Sequence, residues 1–360
     1  MELTDPLGPT DHEQVVFCRD RETGLRAIVA IHSTVLGPSL GGTRFYPFPS
    51  EENALRDVLR LSRAMTYKSS AAGIDFGGGK AVIMGDPKRD KNEALLRSYA
   101  RYVHSLGGRY ITTEDVGTSE ADMNVIGRET PRVTGISIER GGSGDPSDAT
   151  GWGVFNAMRA LGRRMWGQDT LSGRHIAVQG VGKVGTYLVE HLVKDGCLVT
   201  VSDVTPDSVE RVRSEHGVAA VDPAEVHSVR CDIFSPCALG GTLNAGTIPQ
   251  LRCEAVAGSA NNQLATPEDA DRLAERGILY APDFIVNAGG VINISYEVGR
   301  RYDREAAFAH VARIAQTVDG VLELGGNEGI TPERAAERIA EERLEAGRHS
   351  PERRFLFEQS

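Results

Sequence analysis

Several features are missing from this chain, and each absence narrows its chemistry. The five cysteines (Cys18, Cys197, Cys231, Cys237 and Cys253) are odd in number and contain no CxxC pair. A disulfide framework is therefore not expected, and free thiols in a reducing cytoplasm fit best. The nine histidines show no HExxH or comparable ligand spacing, so no metal is expected. No run reaches the ~18 apolar residues of a membrane span. The opening Met1-Glu-Leu-Thr-Asp-Pro lacks the basic and apolar regions of a secretory signal. Basic charge is in deficit: 40 Lys and Arg stand against 50 Asp and Glu, a formal net charge of −10. That balance argues against a nucleic-acid partner. No internal repeat is found.

What is present is ordinary for a folded enzyme-sized chain. The 360 residues give a prior of two domains. Apolar residues at 40% and charged residues at 25% exclude a disordered chain. Glycine is abundant, 41 residues, but follows no G-X-Y period, so it points to tight turns and close backbone approaches.

The first ~135 residues hold strands and helices without a regular βαβ rhythm. Leu25–Ser33 and Ala81–Met84 read as strands. Ser50–Tyr67, with Ser50 as N-cap, and Lys91–Leu106, stopped by Gly107-Gly108, read as helices. The Gly-, Pro- and Ser-rich stretch from Gly135 to Thr150 reads as a hinge or linker, with a helix following over Val154–Leu161. Beyond it, strand His175–Gln179, helix Val184–Lys194 and strand Leu198–Ser202 set up an alternation. Strand candidates Asp232–Ser235, Glu254–Ala257 and Ile278–Tyr280 continue it. This pattern implies a parallel sheet with helices on both faces. Asp303–Leu324 and Pro332–Ala346 read as closing helices, and Arg348–Ser360 as a frayed tail.

Gly180-Val181-Gly182-Lys183-Val184-Gly185 follows a strand and opens a helix. In that context GxGxxG is a dinucleotide loop: a tight turn, a close approach to pyrophosphate, and close helix packing. The helix N-terminus offers free N–H groups to the anion. Asp203 ends the next strand, where a carboxylate accepts ribose hydroxyls and repels a 2′-phosphate, which favours NAD over NADP. A ligand-free glycine turn and a strand-end turn residue are the alternatives.

Two lysines stand out by their surroundings. Lys68 ends an apolar helix face, and Lys80 joins Gly77-Gly78-Gly79 to an apolar strand. Lysines are commonly solvated, yet neither place is a typical solvated flank. Two ammonium groups in a cleft suit an anionic substrate: one pairs with a carboxylate, and the other, desolvated beside a cation, works as a base. Thr112-Thr113-Glu114-Asp115 is a strand-end cluster in which Asp115 is either a proton carrier or a surface turn.

Taken together these segments resemble the amino-acid dehydrogenases acting on glutamate, leucine, phenylalanine and valine. The resemblance is carried by Gly41-Gly42-Thr-Arg44, MTYK ending at Lys68, GGGK ending at Lys80, TTEDVGT from Thr112, the loop at Gly180, SPCALGG from Ser235, GSANNQL from Gly258 and APDFIVNAGGVI from Ala281. The leucine and valine enzymes are the most similar in feel. The resemblance implies an α/β fold of two domains, an N-terminal substrate-binding and oligomerisation domain (1–140) and a Rossmann-type NAD-binding domain (141–330). A cleft would lie between them, and a C-terminal helix and tail (331–360) would follow. It implies reversible NAD-dependent oxidative deamination of an L-amino acid to the 2-oxo acid and ammonia. Lys68, helped by the Gly41-Gly42 backbone, would grip the substrate carboxylate. Lys80 would be the general base that activates water, and Asp115 would shuttle protons to the amino group. Asn261 would contact substrate or nicotinamide ribose. Thr150, Cys237, Ala238 and Asn287 would line the cofactor cleft beside Gly180, Val181, Gly182, Lys183, Val184, Gly185, Thr186 and Asp203. A homo-oligomer is implied, with the N-terminal strands as interface. A dinucleotide-sensing regulator that has lost the chemistry is the non-enzyme alternative.

By the same resemblance, Leu40 and Ile294 take the places where glutamate enzymes hold the distal carboxylate with a lysine and a serine. A carboxylate facing two apolar residues would lose hydration without a partner. Leu40, Met65, Val291 and Ile294 suggest an aliphatic pocket for valine, leucine or isoleucine; ordinary core residues are the alternative. Ser137-Ile-Glu-Arg-Gly-Gly142 looks more like the phenylalanine enzymes, which keeps that substrate open. Thr113 stands where the leucine and valine types have alanine and the phenylalanine type has glycine, so it narrows the pocket. Thr113→Gly is expected to raise kcat/KM for phenylalanine relative to valine; an unchanged ratio would remove Thr113 from the pocket.

Overall fold

The structure, a computed structural model, describes residues 11–299 and 301–350. The expected frayed tail lies outside the described residues beyond Ser350, and Arg348 itself ends a helix. The chain forms two compact units. The described part of the first falls within Met1–Asp145, Ile294–Arg304 and Ala340–Ser360; the second is Pro146–Asn293 with Glu305–Ile339. A linear reading sets boundaries at 140 and 330, whereas in space the chain returns twice to the first unit.

In the first unit the elements run β1 (Gln14–Asp20), β2 (Leu25–Ser33), β3 (Ser39–Tyr46), α1 (Glu51–Ala71), β4 (Gly77–Met84), α2 (Glu93–Ser105), β5 (Tyr110–Glu114) and α3 (Glu120–Ile126). The sheet order is β1-β2-β4-β3-β5. β1 and β2 are antiparallel, as are β2 and β4, but β3, β4 and β5 are mutually parallel. Two βαβ crossovers, through α1 and α2, are thus present where the sequence showed no such rhythm. They were hidden because β3 (SLGGTRFY) and the start of β4 (GGGK) are glycine-rich, and glycine is a weak strand former. Ser50 caps α1 as expected, accepting the Asn53 amide at 3.1 Å. Leu55, Val58 and Leu59 of α1 bury one sheet face against Ile28, Ala30 and Val82. Leu96, Tyr99 and Val103 of α2 bury the other against Val29, Phe45 and Ile83.

The second unit contains α4 (Ser147–Trp166), β6 (His175–Gln179), α5 (Lys183–Lys194), β7 (Leu198–Ser202), α6 (Pro206–His216), β8 (Ala219–Ala220), β9 (Ile233–Pro236), β10 (Ala255–Val256), α7 (Glu268–Glu275), β11 (Leu279–Tyr280) and α8 (Asp283–Val286). The chain then forms α9 (Gly289–Ser295), α10 (Arg304–Ala312), α11 (Ile314–Glu328) and α12 (Pro332–Arg348). The sheet order β11-β10-β9-β6-β7-β8 is parallel throughout. Counted from β6 it is the doubly wound 3-2-1-4-5-6 arrangement, whose order reverses between β6 and β9.

Two expected stretches change. The end of the presumed linker is already helix: Ser147–Thr150 form the first turn of α4, and Ile138–Arg140 make a short 3-10 turn closed by Gly141 at φ 89°. The single helix expected over Asp303–Leu324 is two, α10 and α11, parted at Arg313, whose amide bonds His310 three residues back. No glycine or proline marks that break.

The loop after β6 gives a test of packing. A Cβ on Gly185 would stand 2.0 Å from the Gly180 carbonyl oxygen, whereas one on Gly182 would meet nothing within 4 Å. Gly185→Ala is expected to lower stability by about 1–3 kcal/mol in urea unfolding, and Gly182→Ala by under about 1 kcal/mol. Equal losses would show that the close approach carries no load.

Candidate active site

The middle of β3 and β4 and the carboxyl end of β5 bring together one set of candidate side chains. Lys80 on β4 is only 7% exposed, and its Nζ lies 2.7 Å from Asp115 Oδ2, one residue past β5. The pair rests on Gly42 of β3. A Cβ there would come within 2.7 Å of the Glu114 carbonyl oxygen, 2.8 Å of Asp115 Cβ and 3.3 Å of Lys80 Nζ. Any other residue at 42 would push the pair apart.

Asp115 is half-buried. Burial opposes its ionisation, but the Lys80 ammonium and then the Arg44 guanidinium outweigh it and hold the carboxyl at about 2. Arg44 Nε is 3.3 Å from Asp115 Oδ2, and its Nη1 is 2.9 Å from Asp57 Oδ2 on α1. The Asp115 amide donates to the Thr118 hydroxyl at 2.9 Å, and that hydroxyl donates to the Thr43 carbonyl at 2.9 Å. Sequence reasoning passed over Arg44 and Asp57. Arg44 stood inside a quoted motif, but Asp57, between Arg56 and Arg60, looked like one more charge on a solvated helix face.

The triple glycine lies within β4, and each glycine admits another part of the protein. A Cβ would meet the Ser33 carbonyl at 1.9 Å from Gly77, the Thr66 amide at 2.1 Å from Gly78, and the Tyr110 ring at 2.7 Å from Gly79. Gly41 likewise lets β3 approach the Gly79 carbonyl oxygen, at 1.8 Å from its missing Cβ. The Gly78–Thr66 contact lays α1 on β4, and Lys68 and Lys80 are each two residues along from it. Lys68 is half-buried in the last turn of α1, with Met65 half-buried one turn before it. Leu40 is fully buried in β3, Thr113 is buried in β5, and Ile294 is buried in the same unit. Val291 is buried and belongs to the second unit.

In the second unit the remaining candidates cluster at the ends of β6 and β9. Gly180, in the left-handed region at φ 99°, lies against the Cys237-Ala238 backbone; its missing Cβ would stand 2.8 Å from Ala238 N. The α5 N-terminus is capped by Gly182 without a side-chain hydrogen bond, and Gly182 and Lys183 are exposed. Val184 is half-buried, and the Thr186 hydroxyl bonds back to the Gly182 carbonyl at 2.8 Å. Asp203 fixes the loop: its oxygens accept the Val181 and Thr205 amides, each at 2.8 Å. Asn287 donates to Asn261 Oδ1 at 2.9 Å, and its own Oδ1 is buried with no partner among the described residues. Thr150, in the first turn of α4, donates to the Pro146 carbonyl and packs on Gly290.

These features fit a dinucleotide. Gly182 offers space where a side chain would stand, the α5 amides are uncovered by a cap, and an orphaned amide oxygen waits at Asn287. Among the described residues no group of three metal-ligating side chains gathers, and no helix is long and apolar enough to cross a membrane.

Comparison with known proteins agrees with both halves. Residues 12–132 match the family described as Glu/Leu/Phe/Val dehydrogenase, dimerisation domain. Residues 141–206 and 205–311 match Glutamate/Leucine/Phenylalanine/Valine dehydrogenase. A leucine dehydrogenase of Geobacillus stearothermophilus is 51% identical, over 97% of this chain and 95% of its own. A valine dehydrogenase of Streptomyces virginiae is also 51% identical, over 94% of this chain and 95% of its own. Among solved structures, an L-tryptophan dehydrogenase from Nostoc punctiforme superposes with a TM-score of 0.82 at 43% identity, covering 94% of this chain and 98% of that one. With the motifs in order along the chain and both sheets formed as they require, this protein belongs to the glutamate/leucine/phenylalanine/valine dehydrogenase family.

Proposed function

We propose that this amino-acid dehydrogenase catalyses the reversible, NAD-dependent oxidative deamination of a branched-chain L-amino acid, giving the 2-oxo acid and ammonia. The observation that carries this reading is the Lys80–Asp115 pair, 2.7 Å apart on a glycine bed. NAD, when bound, supplies the hydride acceptor. Its pyrophosphate would be held by the loop from Gly180 to Thr186 at the α5 N-terminus, and its ribose hydroxyls by Asp203. Thr150, Cys237, Ala238 and Asn287 would line the rest of its site.

Lys68, with the Gly41-Gly42 backbone, holds the substrate carboxylate. Lys80 takes a proton from the water that adds at Cα, and Asp115 exchanges a proton with the amino group. The 2.7 Å contact is the route by which that proton passes between them. Asp115 is an anion at neutral pH, so it accepts a proton only while its cationic partner gives one up. Asn261 orients substrate or ribose, and excluding water keeps these contacts strong.

Leu40, Met65 and Ile294, all apolar and all of the first unit, would leave a distal carboxylate desolvated without a partner, at several kcal/mol. That disfavours glutamate. The similarity to enzymes named for leucine and valine points the same way. Within the Ser137–Gly142 stretch that resembles the phenylalanine enzymes, residues 138–141 form an exposed turn, with Ile138 70% exposed, between the buried Ser137 and Gly142, so those four bear little on the pocket. A homo-oligomer in the cytoplasm, built through the N-terminal strands, is in keeping with the matched dimerisation domain. The partners are then amino acid, oxo acid and ammonia, with no membrane or nucleic acid.

A panel of valine, leucine, isoleucine, phenylalanine and glutamate, followed by NADH absorbance, tests the substrate class; aliphatic residues should lead in kcat/KM. Lys80→Ala should lower kcat by about 10²–10⁴-fold while NADH binding, read by fluorescence, is retained. Loss of less than tenfold would remove its role, and NADH binding by an inert wild type would favour a dinucleotide sensor. Asp203→Ser should narrow the preference for NAD over NADP by about tenfold or more; an unchanged ratio would place recognition of the ribose elsewhere.

A further inference from the structure

One side chain on the Lys80 face is unaccounted for. Thr113 is 7% exposed, and its hydroxyl has no hydrogen-bond partner among the described residues. The sheet register shows where it points. β3 and β4 pair Leu40 with Gly78 and Thr43 with Ala81, which sets Gly42 beside Lys80. On the other side Gly42 pairs with Thr113. Paired residues of parallel strands share a face, so Lys80, Gly42 and Thr113 form one row across three strands, spanning roughly 10 Å. The middle position has no side chain, and the Lys80 ammonium leans over it.

Beyond Thr113, no described group hydrogen-bonds its hydroxyl. Gly135 stands there without a side chain, its missing Cβ 3.0 Å from Thr113 Oγ1. Its amide is already donated to Glu297 Oε1 at 2.9 Å, an oxygen that also accepts the Ser143 hydroxyl. Along the same face the preceding residues are Leu40 and Ile111, both apolar. A buried hydroxyl without a partner is unfavourable, and here it lies one glycine away from the ammonium of the reacting centre.

We propose that Thr113 is a specificity-determining residue whose hydroxyl admits L-amino acids bearing a hydroxyl on Cβ alongside branched aliphatic ones. L-Threonine is the case to consider, being isosteric with L-valine. This rests on the reading of the site as that of an amino-acid dehydrogenase. The reaction is the same: L-threonine, NAD and water give 2-oxo-3-hydroxybutanoate, ammonia, NADH and a proton. The Cα–H and Cα–N bonds break, the water oxygen becomes the 2-oxo group, and the Cβ hydroxyl is untouched.

The test is the ratio of kcat/KM for valine over threonine, since the two substrates differ only by methyl against hydroxyl. A purely apolar pocket disfavours the added hydroxyl by about a hundredfold, and one neutral hydrogen bond recovers about tenfold. The wild-type ratio should therefore be about ten. In Thr113→Val and Thr113→Ala it should rise to about a hundred, and in Thr113→Ser it should stay near the wild-type value. Ratios within twofold of wild type in both Thr113→Val and Thr113→Ala, with valine still turned over, would overturn the proposal alone. A wild type that turns over neither substrate would overturn the dehydrogenase reading on which it rests.

Discussion

An ammonium and a carboxylate withdrawn from water lose hydration worth several kcal/mol each, and their attraction makes good that loss only at close range and with further hydrogen bonds. Lys80 and Asp115 meet those conditions at 2.7 Å, and the surroundings are arranged around them. Arg44 adds a second cation to Asp115, Asp57 a second carboxylate to Arg44, and Arg60 pairs with Asp57 at 3.1 Å. A buried pair of this kind contributes little to stability compared with apolar residues of the same volume. In the proposed reaction its value is chemical: it stores a proton donor and a proton acceptor in contact, ready to exchange.

Glycine is what makes so crowded a site possible, and it serves two purposes in this chain. In the first unit Gly41, Gly77, Gly78 and Gly79 let protein meet protein, bringing strands and α1 closer than any side chain would allow. Gly42 belongs with them but also clears the floor beneath the ammonium. In the second unit Gly180 and Gly185 again serve close packing, while Gly182 faces open space. Only a position of the last kind signals a ligand by its geometry, and only because the helix amides around it have no side-chain cap.

The sequence was most legible where local propensity and tertiary role agree. β2, β6 and β7 were read with their final boundaries because their residues are β-branched and uninterrupted. β3 and the start of β4 were not, since the close approaches that require glycine erase the strand signal there. The glycine loop at 180 was legible because strand, glycines, helix and acid follow one another within the 29 residues from His175 to Asp203. Lys80 and Asp115 could be named, but not their contact, which joins residues 35 apart through the pairing of two strands with a third. Asp57 was invisible as a partner of Arg44 because a charge on a helix face looks the same whether it meets water or another charge.

That third strand is where the Lys80–Asp115 contact is finally fixed. Side chains alternate along a strand, so a one-residue slip of β5 against β3 would turn Thr113 to the opposite face and carry Asp115 away from Lys80. What resists the slip lies on the other side of the sheet. There the Thr43 hydroxyl meets the Tyr99 hydroxyl at 2.5 Å and the Thr112 hydroxyl at 2.6 Å, and the Tyr110 hydroxyl donates to the Gly41 carbonyl at 2.7 Å. All four side chains are fully buried, and any other register would leave their hydroxyls without partners, each at a cost of about 1–3 kcal/mol. A buried polar cluster on the opposite face of the sheet therefore sets the alignment by which Lys80 and Asp115 meet.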